Sequence, residues 1–276
     1  MPKFSANLSM LFTEVPLIER FNAAKEQGFN AVEIQFPYSL SPAEIKQALD
    51  ESELKLVLFN VDADDLLQGG EGLACAPKKQ DQFKRAIEQT VIYAELLTPD
   101  AINVLPGRCL QQERLPEYID TFCQNLQLAR QAFSTMGIST VFEAINDIDM
   151  PGFIITTGQQ MQEVLAQLQL PDLFMQYDIY HAAMMGDDAA DFISKHALDI
   201  GHIQFADCPG RGQPGTGNID FAKLFTAIDQ SNYSGWVGAE YKPVGATHAN
   251  LGWMQHIQGK TFVTSGIGGN LVTQVW

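Results

Sequence analysis

The sequence predicts an α/β fold, a single-domain (β/α)8 TIM barrel. Three observations lead there. Eight short apolar runs rich in β-forming residues alternate with eight stretches of helical periodicity. The chain has 276 residues, and a closed barrel of this kind takes roughly 250. The last four strand-like runs each carry a polar group near the C-terminal end, where such barrels keep their chemistry. The same alternation would also serve a doubly wound open sheet, the alternative architecture.

The strand candidates run from Lys3 to Ser9, Ala31 to Phe36, Lys55 to Asn60, Ala101 to Leu105, Ser139 to Ile145, Leu173 to Tyr180, Ile200 to Asp207 and Trp236 to Tyr241. Between them lie helical patterns. From Pro16 to Gln27, Leu17, Phe21 and Ala24 recur on one face and Gly28 follows as a stop. The next helix opens at Ser41-Pro42-Ala43-Glu44, with Ser41 as N-cap, Pro42 at the first helical position and Glu44 closing a capping box. Longer helices are expected over 77–97 and 115–136, and shorter ones over 158–169, 188–196, 220–230 and 248–258. The barrel is expected to span 1–258. The tail 259–276 changes character, with Lys260 as its one charged side chain, and is expected to be an appended remnant or a disordered end. The Gly-rich loop from Asp62 to Pro77 reads as a lid over the barrel mouth or a passive surface excursion.

Composition narrows the function. The formal net charge of −16 argues against a broad nucleic-acid footprint, which needs clustered Lys and Arg. The four cysteines form no CxxC pair, so free thiols in a reducing cytoplasm are expected. The N-terminus lacks the apolar stretch and small-residue cleavage site of a signal peptide. No apolar run approaches the roughly 18 residues of a membrane span. The five histidines form no HExxH motif and no close pair at ligand spacing, which leaves a zinc hydrolase poorly supported.

The polar groups at the strand ends are Glu143, Asp178, Gln204 and Glu240. On neighbouring parallel strands they converge. Three carboxylates crowded together would force some to protonate unless a cation joins them. The donor set is all oxygen, which favours Mg²⁺ or Mn²⁺ over Zn²⁺. Any one of them alone would read as a structural hydrogen-bond acceptor; four on successive strands read as a shared site. Arg211 lies on a Gly/Pro-rich loop, 208–218, that contains no GxxxxGK[ST] phosphate motif. Arg108, in LPGR after strand four, is a candidate clamp for a substrate carboxylate. Glu33, at the end of strand two, is a candidate polar contact to substrate. Asn60, Asn103 and Asn146 read equally well as turn or cap residues.

The runs AVEIQFP, VFEAIN, QYDIYHAA, GHIQFADCPGRGQPGTGNID and VGAEYKP carry a resemblance. The chain resembles the xylose isomerase-like TIM barrels, and within them the hydroxypyruvate isomerase family, up to about Gln258. The run around Arg211 is the most specific. The resemblance implies Glu143, Asp178, Gln204 and Glu240 as metal ligands, with Glu143 and Glu240 also as the proton-transfer pair. It implies that His181 and Arg211 contact substrate. Sugar epimerase relatives often carry His at the third ligand, where this chain has Gln204. The expected activity is interconversion of hydroxypyruvate and tartronate semialdehyde, or of a related 2-oxo-tetronate, by a small-molecule enzyme that allows a homodimer. Alternatives are a ketose 3-epimerase, a metal-dependent DNA endonuclease on the same fold, and a binding protein without catalysis.

Overall fold

The computed structural model describes residues 1–254. Eight parallel strands close into a barrel in sequence order, β8 pairing back onto β1. The strands are β1 (Lys3–Asn7), β2 (Ala31–Ile34), β3 (Lys55–Asn60), β4 (Ala101–Asn103), β5 (Ser139–Glu143), β6 (Leu173–Asp178), β7 (Ile200–Phe205) and β8 (Trp236–Ala239). The helices are α1 (Leu17–Glu26), α2 (Pro42–Ser52), α3 (Gln80–Leu97), α4 (Leu115–Ser134), α5 (Gly158–Leu168), α6 (Ile179–Met184), α7 (Ala189–His196) and α8 (Phe221–Gln230).

The expected capping box on α2 is present. The Glu44 amide donates to Ser41 Oγ at 3.3 Å, and the Glu44 carboxylate accepts from the Ser41 amide at 2.8 Å. Every strand but β3 ends two residues earlier than expected; in β6 the residue at the end is Asp178. Its Oδ1 accepts from the amides of Tyr180 (2.7 Å) and His181 (3.3 Å), so it caps the short helix α6, into which Ile179 and Tyr180 fall. The helix expected over 248–258 begins as a 3₁₀ turn, Thr247–Asn250; its last four residues and the tail 259–276 lie outside the described residues.

Alternation along each strand sorts the barrel interior into layers. Ala31, Leu58, Ala101 and Val141, with Phe174 and Trp236 against them, form a small apolar cluster separate from the main core. The same inward faces continue toward the C-terminal ends as Glu33, Asn60, Asn103, Glu143 and Asp178. The apolar layer therefore plugs the barrel, and a polar layer rests on it. Outward-facing strand residues such as Ile102, Phe142, Tyr177, Ile203 and Phe205 are sealed under the helices. Among the described residues no helix is long and apolar enough to cross a membrane.

Candidate active site and its relatives

The polar layer opens into a cavity of about 90 Å³ at the C-terminal end of the barrel. Glu143, Gln176, Gln204 and Glu240 line it from strands five to eight, and His181, Asp149 and Arg211 line it from the loops above. Asn60 and Leu67 face it from the other side, Leu67 from the 62–77 loop, which the sequence left as a lid or a passive surface excursion. That loop is tied at its base, where Lys79 bridges Asp64 and Asp65 at 2.9 and 2.8 Å.

Glu240 sits one residue beyond β8, its amide still bonded to the Phe205 carbonyl at 3.1 Å. Its Oε1 accepts from Asn7 (2.9 Å), Gln35 (2.8 Å) and Gln204 (3.3 Å), and its Oε2 accepts from Arg211 Nη2 at 2.6 Å. Glu143 Oε2 accepts from Asn103 (3.2 Å) and Gln176 (2.9 Å). Asp178 uses Oδ1 to cap α6, while Oδ2 is buried without a hydrogen-bond partner and lies 3.7 Å from both Arg211 Nη2 and His181 Nε2.

Burial pushes the carboxyls of Glu143, Asp178 and Glu240 above their ordinary range. For Glu143 the charges of Glu240 and Asp178 push the same way. Arg211 opposes the shift in all three. Burial alone would lower the Arg211 pKa, but Glu240, Asp178 and Glu143 together raise it. One guanidinium among three carboxylates leaves two negative charges over when all are ionised. Two like charges 4–5 Å apart cost about 3–4 kcal/mol at an effective dielectric of about 20.

That arithmetic tests the site for a divalent cation. One ligand atom each from Glu143, Asp178 and His181 falls within 4.8 Å of the others, all three residues being buried. The unpartnered Asp178 Oδ2 and the surplus of two negative charges fit a divalent ion; Gln204 and Glu240 line the same cavity, their oxygens engaged by Gln176, Asn7, Gln35 and Arg211.

The His181 ring is held in one tautomer. Asn146 Nδ2 lies 2.6 Å from His181 Nδ1, and the Asn146 backbone amide donates to the same nitrogen at 3.4 Å. The amide of Asn146 is itself oriented by Asp149, whose backbone N–H reaches Asn146 Oδ1 (2.8 Å) and whose Oδ2 accepts from Nδ2 (3.2 Å). Nδ1 therefore accepts, and the ring proton resides on Nε2. Burial, reinforced by Arg211, pushes the His181 pKa down to about 3, so the ring is neutral. A metal-bound histidine usually donates its other ring N–H to an acceptor. His181 has the opposite arrangement, and its Nε2–H is placed as a donor toward the cavity.

The structure places two candidates elsewhere. Glu33 is fully buried one layer below the cavity. Arg108 is absent from the cavity lining. It stands between the 62–77 loop and the loop after β5, its amide bonded to the Glu71 carbonyl at 3.0 Å, its backbone bridged to Phe153 and its Nε buried without a partner. Sequence reading missed Gln176, Asn7, Gln35, Asp149 and Tyr180. Gln176 shares an inward face with Asp178 and could have been found by alternation; Asn7 and Gln35 carry no local signal.

A closed eight-stranded barrel with acidic residues gathered at its mouth defines the class. The chain belongs to the xylose isomerase-like TIM barrel family, whose model matches residues 21–257. It is 38% identical to the hydroxypyruvate isomerase of Escherichia coli (strain K12) over 254 residues, covering 92% of this chain and 98% of that protein. It is 35% identical to a 2-oxo-tetronate isomerase of Cupriavidus necator over 260 residues, covering 94% and 100%. The crystal structure of an AP endonuclease, family 2, from Brucella melitensis superposes with a TM-score of 0.89 at 32% identity, covering 92% of this chain and 98% of that one.

Proposed function

We propose that this protein is an aldose–ketose type isomerase acting on hydroxypyruvate or a four-carbon 2-oxo-tetronate. The observation that carries the proposal is the pairing of Glu143 and Glu240 across one small buried cavity with a single guanidinium, Arg211, between the acids. The similarity to hydroxypyruvate and 2-oxo-tetronate isomerases over nearly the whole chain supports the substrate class.

Both substrates present a carbon bearing hydroxyl beside a ketone that is next to a carboxylate. Glutamate is the base and glutamic acid the acid of the proposed proton transfer. One of Glu143 and Glu240 takes the proton from the hydroxyl-bearing carbon, and the freed electron pair forms the carbon–carbon double bond of an enediolate. The other returns a proton to the former carbonyl carbon while the hydroxyl proton passes to the former carbonyl oxygen, and the double bond gives way to a new carbonyl at the carbon that lost its hydrogen, an aldehyde from hydroxypyruvate and a ketone from a 2-oxo-tetronate. The net change moves two hydrogens within one molecule, so no redox cofactor enters. His181 Nε2–H is placed to donate to the substrate's oxygen, and the unpartnered Arg211 Nε to its carboxylate. The small cavity, of about 90 Å³ with Leu67 at its rim, limits water around the enediolate. A divalent ion, Mg²⁺ or Mn²⁺, would be held by Glu143, Asp178, Gln204 and Glu240, and supplies Lewis-acid stabilisation of developing oxyanion charge when bound.

A ketose 3-epimerase would use the same glutamates on a neutral sugar, leaving the buried cation of Arg211 without a substrate carboxylate to meet. A DNA endonuclease would need a basic approach surface, which the charge of −16 does not offer.

The test is turnover of hydroxypyruvate and of 2-oxo-tetronates after chelation, with and without added Mg²⁺ or Mn²⁺, followed by NMR in deuterated water. Metal-dependent conversion with solvent deuterium in the product, lost in Glu143→Gln and Glu240→Gln, is expected. No turnover of any 2-oxo acid would sink the assignment.

A further inference from the structure

The carboxylate of Glu33 is fully buried beneath the cavity and meets four donors. Its Oε1 accepts from Asn7 Nδ2 (3.0 Å) and Gln204 Nε2 (2.7 Å). Its Oε2 accepts from Ser5 Oγ (3.1 Å) and His202 Nε2 (2.7 Å). Burial alone would raise its pKa, yet His202, Gln204 and Asn7 hold it below the ordinary carboxylate range. The backbone makes room for it: a Cβ on Gly238 would lie 2.2 Å from Glu33 Oε2.

An amide has two ends of similar shape and opposite polarity, and something must choose between them. At Gln204 the choice comes from below. A carboxylate only accepts, so the end of Gln204 that faces Glu33 must be the NH₂. Its carbonyl Oε1 then points up and accepts from Gln176 Nε2 at 2.6 Å. Gln176 Nε2 reaches Glu143 Oε2 at 2.9 Å as well. Asn7, whose Oδ1 is occupied by the Ser9 amide at 3.0 Å, divides its NH₂ between Glu33 and Glu240. Gln204 Nε2 also donates to Glu240 Oε1, but at 3.3 Å against 2.7 Å to Glu33, so the shorter contact, to Glu33, leads in setting the sense of a series of amides that ends on both glutamates of the cavity.

We propose that Glu33 is a positioning residue that sets the polarity of this network, turning the Gln204 carbonyl toward the divalent ion and the amides of Asn7 and Gln176 toward Glu240 and Glu143. The proposal rests on the metal-dependent reading of the site. It gives Glu33 a role through Gln204 rather than through contact with substrate.

The experiment measures Mn²⁺ affinity by calorimetry, together with the Gln204 side-chain amide signals of the metal-free protein, assigned by their loss in Gln204→Glu. Glu33→Gln is expected to lower Mn²⁺ affinity on the order of 10–100-fold, the range for partners that orient metal ligands, and to move the Gln204 amide signals. The exchange variant Glu33→Gln/Gln204→Glu is expected to recover most of the affinity, because a carboxylate at 204 has no sense to choose. Should Glu33→Gln fail to fold, Gly238→Ala displaces the same carboxylate without removing its charge, and the same losses are expected. A folded Glu33→Gln or Gly238→Ala protein with wild-type Mn²⁺ affinity and unmoved Gln204 signals overturns the proposal. If the wild-type protein itself binds no Mn²⁺, the metal reading of the site falls, and the Gln204 signals alone decide whether Glu33 sets the amide: moved signals support it and unmoved signals overturn it.

Discussion

Arg211 Nη2 donates to Glu240 Oε2 across 2.6 Å, and the same guanidinium lies 5.2 Å over the ring of Tyr180. This contact makes one of the two proposed proton-transfer groups an ion-pair partner before any substrate arrives. It also places the cation where the substrate's carboxylate is expected.

Replacing Arg211 by Lys keeps the charge and loses the planar fork and the stacking on Tyr180. The expected result is a fall in kcat/KM of about 100-fold or more, by analogy with losing one electrostatic donor from an active site. Arg211→Met would strand Glu240 and Asp178 without their counter-charge. That variant should bind its divalent ion with altered affinity and lose a few kcal/mol of stability, about 3–5 for breaking a buried pair, unless the acids take up protons. Steady-state kinetics and urea unfolding at two pH values separate these effects; unchanged kinetics in Arg211→Lys would contradict the role.

Metal-free stability should depend on pH in a definite direction. Glu143, Asp178 and Glu240 have folded pKa values above the unfolded range of about 4. The folded state then holds more protons than the unfolded one from about pH 4 upward, so these groups lower stability as pH rises through that window. Glu33 has the opposite sign: its folded pKa is depressed, and its contribution is lost as pH falls below about 4. Added Mn²⁺ should therefore raise Tm, and by more at pH 7 than at pH 5. Saturation at 100 times Kd corresponds to about 2.7 kcal/mol. Thermal scans in chelator and in Mn²⁺ across pH 4–8 check this, and a metal effect independent of pH would count against the buried acid cluster.

His181 is expected to act as a neutral donor. His181→Leu should reduce kcat by roughly 100–1,000-fold, the range for deleting one donor to a developing oxyanion. Asn146→Ala removes the side-chain partner of Nδ1 (2.6 Å) and leaves only the backbone amide at 3.4 Å. Nitrogen-15 spectra of the His181 ring should show the Nε2–H tautomer in the wild-type protein and a mixture in Asn146→Ala.

The loop that carries Arg211 hangs from Asp207, which is fully buried. Its Oδ1 accepts from the amides of Cys208 (2.9 Å) and Ile219 (3.1 Å), and its Oδ2 from Gly215 at 2.8 Å. A Cβ on Gly217 would lie 2.4 Å from the Cys208 carbonyl and 2.5 Å from Asp207 Oδ1. Gly217→Ala should cost about 1–3 kcal/mol as an overpacked site and raise KM for carboxylated substrates by misplacing Arg211. Denaturant unfolding and KM measured on one preparation test both halves.

Much of the barrel was legible in the sequence because strand and helix periods are local properties. Each run is bounded by its own turn residues, and Ser41 and Glu44 announced the start of α2 by themselves. Strand ends were less legible. β6 ends at Asp178, whose side chain captures two following amides, a choice between two uses of one residue that the apolar pattern does not register.

By itself the sequence determined the strand order of the barrel, the acidic character of its mouth, and the strand-end residues Glu143, Gln204 and Glu240 that line it. Those follow from alternation along single strands. Only the tertiary structure decided how the groups divide the work: Glu33 below the cavity, Arg108 outside its lining, Asn7 and Gln35 brought onto Glu240, and Asn146 onto His181. The reason is distance along the chain. Asn7 and Glu240 are separated by 233 positions, and only closure of β8 onto β1 brings their side chains within hydrogen-bonding range.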